Sequence, residues 1–193
     1  MDLVARAKGI LLSPRNEWAK IDGEPATTGS LLVDYAAPLA AIPAIAGFVG
    51  TSLLGYNVLG LSYRVPIVRG LVAAIVQYVL TLVGVFVLGL IVDALAPSFG
   101  GTRSQIQALK VSVYSSTAAW IAGVFMLLPA LSPLSIVGLY SLYLLYLGLP
   151  ILMKAPADRA IGYTVVSIIA AIVVYAVVGV IAGTVTGYRP WAL

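Results

Sequence analysis

The chain has 193 residues, 61% of them hydrophobic and 9% charged, with 11 basic and 7 acidic side chains and a formal charge of +4. Ordinary globular domains carry about 45–50% apolar and about 25% charged residues, so this composition, with a mean hydropathy of +1.06, excludes a soluble domain, a disordered tail and a nucleic-acid binder. The sequence has no Cys and no His, which removes disulfides, thiolate nucleophiles, imidazole-ligated metals and Ser-His-Asp triads.

In chain order, residues 2–12 place Leu3, Val4, Ala7, Ile10 and Leu11 at helical spacing, opposite Asp2, Arg6 and Lys8. This is an amphipathic pattern of interfacial type. Ser13-Pro14 reads as an N-cap with proline at the first helical position. It opens a second short helix with Trp18 and Ile21 on its apolar side and Arg15, Asn16 and Lys20 facing water. Residues 1–30 are thus expected to form a cytoplasmic or interfacial segment. Two readings of it stand: helices that lie on the membrane and lead into the first span, and a docking surface for a protein partner. No cleavable signal is expected, because the first apolar run is short and Glu17, Asp22 and Glu24 follow it.

Charge is expensive in hydrocarbon, so stretches without it mark the spans. Four such runs follow, at Tyr35–Tyr63, Gly70–Val92, Val111–Met153 and Ala160–Tyr188. A span needs about 20 residues. As one helix the third run would extend roughly 64 Å, about twice the hydrocarbon thickness. Pro129-Ala-Leu-Ser-Pro133 interrupts it, and proline lacks the N–H that an interior turn requires. The expected fold is therefore an all-α membrane bundle of five transmembrane helices over residues 31–193, at about 31–53, 67–91, 109–128, 134–152 and 162–185. Arg6, Lys8, Arg15, Lys20, Arg103, Lys110, Lys154 and Arg159 would share one side, against Arg64, Arg69 and Arg189 on the other. The basic side is the cytoplasmic one, which puts the N-terminus inside and the C-terminus outside, as in a bacterial inner membrane.

Polar groups within the spans are few. Asp34 sits about one turn into the first span, and Asp93 closes the second on the same side. Asp34 reads either as a titrating intramembrane carboxylate or as an interfacial one that favours the helix dipole. Two shallow Asp residues without supporting motifs do not make an intramembrane aspartyl protease. Pro38 and Pro43 should bend or unwind the first span. Gln77, near the middle of the second, is expected to bond across to another helix or to line a polar path. Ser112, Tyr114, Ser115, Ser116 and Thr117 hydroxylate the inner half of the third, where such groups can return their bonds to carbonyls a turn earlier. Tyr140, Tyr143 and Tyr146 on the fourth read as packing and interface anchors. On the fifth, Ala171, Tyr175, Gly179, Gly183 and Gly187 recur every four residues. Small residues on one stripe let another backbone approach, either a helix of the same chain or a second copy. Gly84 and Gly89 lie on less aligned faces.

Some of these residues resemble a known family. Ile10-Leu-Leu-Ser-Pro14 with Glu17, Trp18, Ile21 and Glu24 is similar to the entry segment of bacterial Yip-family proteins. Tyr140 to Pro150, then Leu152-Met153-Lys154 and Pro156, resembles the family's fourth span and the loop after it, and Ala160-Ile-Gly-Tyr163 its entry into the fifth. Asp34-Tyr35-Ala-Ala-Pro38 keeps the Asp-to-Pro spacing of the family's first-span motif, with Tyr shifted and Ala where Gly is usual. The resemblance implies a five-span integral membrane protein. In eukaryotes the family interacts with Ypt/Rab GTPases, and the long polar amino-terminal region of those members is absent.

The function expected is a non-enzymatic scaffold or organiser, with no catalytic residue, cofactor or metal. Its expected partners are the lipid bilayer, a protein at the amino-terminal face and a second copy of the chain. The alternative is a small-solute or ion channel or transporter that uses Asp34, Gln77 and the hydroxyl-rich third helix. Tyr35, Pro38, Asp93 and Tyr114 complete the candidate polar residues, and Gly179, Gly183 and Gly187 form the candidate packing stripe.

Overall fold

A computed structural model describes residues 2–58 and 61–186. Two short helices come first, α1 (Leu3–Leu12) and α2 (Pro14–Gly23). The Asp2 carboxylate caps α1 by accepting from the N–H groups of Val4 and Ala5, at 3.0 and 3.1 Å, two of the donors a helix start leaves unpaired. Pro14, with no N–H to satisfy, opens α2.

The chain then enters its first long helix. Thr27 and Ser30 cap each other's N–H groups through their hydroxyls. The core of this helix, α3 (Ala37–Phe48), is flanked by wider π-helical turns at Ser30–Ala36 and Val49–Leu54. Pro38 and Pro43 lie in the middle part. Each removes one i→i−4 bond, and in the wide turn before α3 the pairing runs five residues back, as when the Ala37 N–H reaches Leu32. Gly55, at φ 77°, ends the helix, and glycine adopts that left-handed conformation without steric cost.

A short antiparallel hairpin follows, β1 (Tyr56–Val58) on β2 (Leu61–Tyr63), with Tyr56 opposite Tyr63. The all-helical expectation had no place for it. β-Branched and aromatic residues between Gly55 and Pro66 favour extended backbone, and the loop closes by pairing.

Beyond it run α4 (Ile67–Leu95), then α5 (Gln105–Ser115), α6 (Thr117–Ala122), α7 (Tyr140–Leu152) and α8 (Ala157–Thr186). A 3-10 turn at Ala96–Phe99 and Gly100, at φ 71°, close α4. Four helical stretches are long and apolar enough to cross a membrane, Ser30–Leu54, Ile67–Phe99, Ala130–Leu152 and Ala157–Thr184.

The expected third span, 109–128, is instead broken. α5 ends at Ser115, α6 restarts at Thr117, and Gly123–Leu127 tightens to 3-10. The hydroxyls of Ser112, Ser116 and Thr117 donate to the carbonyls of Ala108, Ser112 and Tyr114. Such back-bonding competes with the ladder and bends helices. The Pro129–Pro133 segment does not form a clean hairpin before a regular helix either. Leu128 is extended, and the chain runs as 3-10 helix from Pro129 to Leu139 before α7 begins. Proline at the start and inside that segment explains the delay.

Within the bundle, α4 packs on α8 and α5, α5 on α7, and α3 on α4 and on the Gly123–Leu127 turn. The amino-terminal helices are part of this packing, α2 against α7 and α1 against α6. Ile10, Trp18 and Ile21 belong to the same buried cluster as Tyr35, Leu109 and Leu149. Large apolar side chains such as Ile136, Ile45 and Ile172 are exposed on the outer surface, as a lipid-facing bundle requires.

Candidate functional site

Polar side chains gather at the end of the bundle where α1 and α2 dock. Trp18 is fully buried, and a Cβ built on Gly148 would lie 2.7 Å from its ring. Only glycine in α7 lets the indole in. The Trp18 ring meets Tyr114 edge-on at 6.3 Å, and Tyr114 meets Tyr35 edge-on at 4.7 Å. Tyr35 Oη lies 2.8 Å from Thr117 Oγ1. The Thr117 hydroxyl already donates to the Tyr114 carbonyl, so Tyr35 is the donor.

Charges close the site. Arg6, on the water side of its helix by sequence spacing, is buried, at 8% exposure. Its guanidinium donates to Glu17 at 2.5 Å and also to Glu24, and it lies 5.8 Å over the Tyr114 ring. Glu17 is buried as well. Burial works to lower the Arg6 pKa, but the Glu24 hydrogen bond and the charges of Glu24 and Glu17 outweigh it, and the pKa rises above its ordinary value. A guanidinium at this place is always charged.

Three further side chains pin α2. Lys110 Nζ donates to the carbonyls of Ile21 and Glu24, at 2.8 and 2.6 Å, at the end of α2, where the Ile21 carbonyl also accepts the Glu24 N–H. Gln107 Nε2 donates to the Asp22 carbonyl at 3.1 Å, and Lys154 Nζ to Asp22 Oδ2 at 2.5 Å. The segment is docked as a closed cap, and Arg6 is the residue the amphipathic pattern misplaced. The pairing acids, eleven and eighteen residues further on, were the available signal. An open polar cleft of about 550 Å³ remains between α1 and α2, lined by Asp2, Arg6, Glu17, Lys20, Glu24 and Pro25 among others.

The candidate polar residues are only partly brought together. Tyr35 and Tyr114 meet under this cap. Asp34 and Pro38, on the neighbouring face, are exposed. Asp93 pairs with Arg103 Nε at 3.5 Å in the loop after α4, beside Tyr163, whose hydroxyl donates to the Val92 carbonyl at 2.5 Å. Gln77 lies exposed and donates along its own helix to Thr81, at 3.3 Å, rather than across to another.

The glycine stripe is also distributed differently. A Cβ on Gly179 would meet nothing within 4 Å. Gly183 is half-buried, and Gly187 lies outside the described residues. The close approach between α4 and α8 falls instead on Gly84, against Val178 and Val174, and α4 meets α5 at Gly89, where a Cβ would lie 3.2 Å from the Leu109 Cα. Periodicity along one helix found the stripe but carries no information on where the neighbouring helix lies.

Among the described residues no group of three or more acidic side chains is placed to hold a metal ion. What the arrangement offers chemically is an ion-paired cap with Lys8, Leu12 and Arg15 on its exposed side.

The Yip1 domain family model matches residues 8–179. An Escherichia coli protein (strain K12) described as inner membrane protein YohC is 27% identical over 165 residues, covering 81% of this chain and 83% of that protein. The protein of the same description from E. coli O6:H1 matches to the same extent. No solved structure matches.

Proposed function

The chain belongs to the Yip1 domain family, and from that premise we propose that it is a five-span scaffold or organiser of the bacterial inner membrane, its capped end in the cytoplasm. The observation that carries this reading is the amino-terminal cap. Arg6 ties α1 to α2 and lies over the Tyr114 ring, and Lys110 and Lys154 tie α2 to the bundle, while Lys8 and Arg15 are exposed without an ion-pair partner among the described residues. A rigid, basic, partly apolar face is suited to binding a partner, since little ordering entropy is left to lose. We take residues 1–30 as the partner-facing segment and residues 31–193 as the membrane domain.

The broken segment Gln105–Leu127 is the fifth crossing in this reading. Its support is its packing against α4 and α7, and the placement of basic residues at the capped end. The chain has no native Cys, so single-cysteine labelling tests the topology cleanly. Lys8→Cys should react with a membrane-impermeant maleimide only after lysis of spheroplasts, and Asn57→Cys before it. The reverse pattern overturns the orientation.

The channel alternative finds little support. Gln77 faces outward, and the hydroxyls of the third segment return to their own backbone. In proteoliposomes, ion and solute flux should stay at the lipid background for the native protein and for Asp34→Asn and Gln77→Ala. Native flux that either substitution abolishes overturns the scaffold reading. A partner captured in mild detergent should be lost from Lys8→Glu/Arg15→Glu while the protein's melting is unchanged.

A further inference from the structure

The amino-terminal helices form a hairpin that runs lengthwise along the bundle. α2 packs parallel to α7: the Leu11 carbonyl accepts from Tyr140 Oη at 3.2 Å, Trp18 sits at Gly148, and Asp22 meets Lys154. α1 returns beside α2, with Arg6 on Glu17 and Glu24. The open ends of the hairpin therefore lie at Lys154. Its turn, Leu12-Ser13-Pro14, points toward the far end of the bundle.

Depth follows from helical rise. Lys110 Nζ holds the Ile21 carbonyl, and Pro14 lies about 10 Å further along α2. No charged residue follows Lys110 before Lys154. On α7, Tyr140 stands well inside Ala130–Leu152, a stretch long enough to cross the membrane.

The hydrocarbon slab is itself confined. Exposed apolar side chains run along α8 from Ile161 to Ile181, about 30 Å, the thickness of the hydrocarbon. On α4, Arg69 and Asp93 bound a charge-free run and stand about 36 Å apart, which leaves the slab about 6 Å of play. The Tyr163 bond to Val92 sets α4 and α8 level with each other. Leu109 lies against Gly89, one turn inside Asp93. Lys110 is thus already at the edge of the slab, and the turn of the hairpin lies about 10 Å within it.

The turn suits that place. Leu12 is 80% exposed. Pro14 has no N–H, and the Ser13 N–H and carbonyl are paired with Gly9 and Glu17, so little backbone polarity is open to lipid. The charges on the inner face, Arg6 and Glu17, are buried and paired, the form in which a membrane tolerates them. Lys8 and Arg15, exposed on either side of the turn, have long stems that carry their charge back toward the headgroups.

We propose that α1 and α2 form a re-entrant hairpin, its turn inserted among the acyl chains of the leaflet on the capped side. The inference rests on membrane insertion of the bundle and not on its orientation or on the scaffold role. A protein partner of the Lys8 and Arg15 face would meet it at headgroup level.

A spin label on Leu12→Cys, Lys8→Cys, Gly23→Cys or Ile169→Cys tests this in liposomes of phosphatidylethanolamine and phosphatidylglycerol. All four positions are exposed, so the labels leave the packing intact. Collisions with oxygen and with a water-soluble nickel chelate report each label's depth. Leu12 should lie about 10 Å below the phosphates, close to the depth of Ile169 on α8, with Lys8 about 6 Å shallower and Gly23 in water. Equal depths at Leu12, Lys8 and Gly23 would mean helices lying flat on the surface and overturn the insertion. So would a Leu12 label as open to the chelate as Gly23. Shielding of Leu12 from both reagents, with spin–spin broadening that dilution by unlabelled chain removes, would place a second copy there instead of lipid and overturn it too. None of these outcomes touches the capture of a partner lost from Lys8→Glu/Arg15→Glu, so the scaffold reading fails or stands separately.

Discussion

The two ends of this bundle are held together by different means. At the capped end the largest fully buried side chains collect, Trp18, Tyr35, Leu109, Leu149 and Tyr163 among them, together with buried Arg6, Glu17 and Lys110. Close glycine contacts occur at both ends, and at the far end they stand without such a collection of buried large side chains beside them. A Cβ on Gly50 would lie 2.2 Å from the Met126 carbonyl oxygen, and one on Gly123 2.5 Å from Pro43. The solvent accounts for the difference. Near water, burying an indole or an isoleucine removes apolar area from water and stabilises at roughly 25 cal/mol per Å². In hydrocarbon that force is absent, and only close packing and hydrogen bonds distinguish a neighbouring helix from lipid.

Removing one partner of the buried charge cluster should break the contrast most severely. Arg6→Ala leaves Glu17 buried beside exposed Lys20 alone, and breaking a buried pair costs about 3–5 kcal/mol. Unfolding in mixed detergent should show that loss, and α1 and α2 should become protease-accessible first. Arg6→Met combined with Glu17→Leu should recover most of it, since a buried pair can be replaced by apolar residues of similar volume. Glu24, half exposed, loses little. If the double variant is as unstable as the single one, the capped end depends on the charges for more than their mutual neutralisation.

Gly50→Ala tests the far end. With a carbonyl oxygen 2.2 Å from the new methyl, backbone has to move, and overpacking of this kind costs about 1–3 kcal/mol. Amide exchange in α1 and α2 should remain at the native level in this variant. Accelerated exchange there would mean that the two ends are one cooperative unit and that the distinction drawn between them is only geometric.

A smaller effect separates packing from hydrogen bonding within the capped end. Tyr35→Phe keeps the ring against Tyr114 and deletes the donor to Thr117. The Thr117 hydroxyl still donates to the Tyr114 carbonyl, so no donor is stranded and the loss should be about 0.5–1.5 kcal/mol. A loss as large as that of Arg6→Ala would make this bond, and not the ion pairs, the main lock on the cap.

What the sequence made readable follows the same division. The charge-free runs overlie the four long apolar helices, because ionised groups are costly in hydrocarbon. Trp18 and Ile21 were legible as an apolar face. Arg6 was not, because its burial depends on Glu17 and Glu24 in another helix, and a ten-residue amphipathic pattern does not encode that. The break at Ser116 was half legible. The hydroxyls of Ser112, Ser116 and Thr117 return to carbonyls as their spacing allows, but how far they interrupt the helix depends on the neighbours α5 and α6 pack against. Asp34 and Gln77 were selected as rare polar residues, and rarity does not tell inward from outward.

The smallest expected effect bears on the glycines. Gly84 and Gly179 sit on facing helices, and sequence spacing favoured the second. The structure gives the α4–α8 contact to the first, where a Cβ would already lie 3.4 Å from Val178 and 3.6 Å from Val174. Gly84→Leu should therefore cost about 1–3 kcal/mol by overpacking, whereas Gly179→Leu, with open space around it, should stay within about 0.5 kcal/mol of the native chain. Measured in detergent by thermal melting, the pair isolates the contact from helix propensity, because both changes place the same side chain in a helix interior. Light scattering on the same samples separates the remaining case. A Gly179→Leu protein that melts early and loses half its mass has lost a second copy. One that melts early at unchanged mass would mean that α8 sits closer to its neighbours than its open face indicates, and the far end would then be packed as densely as the capped one.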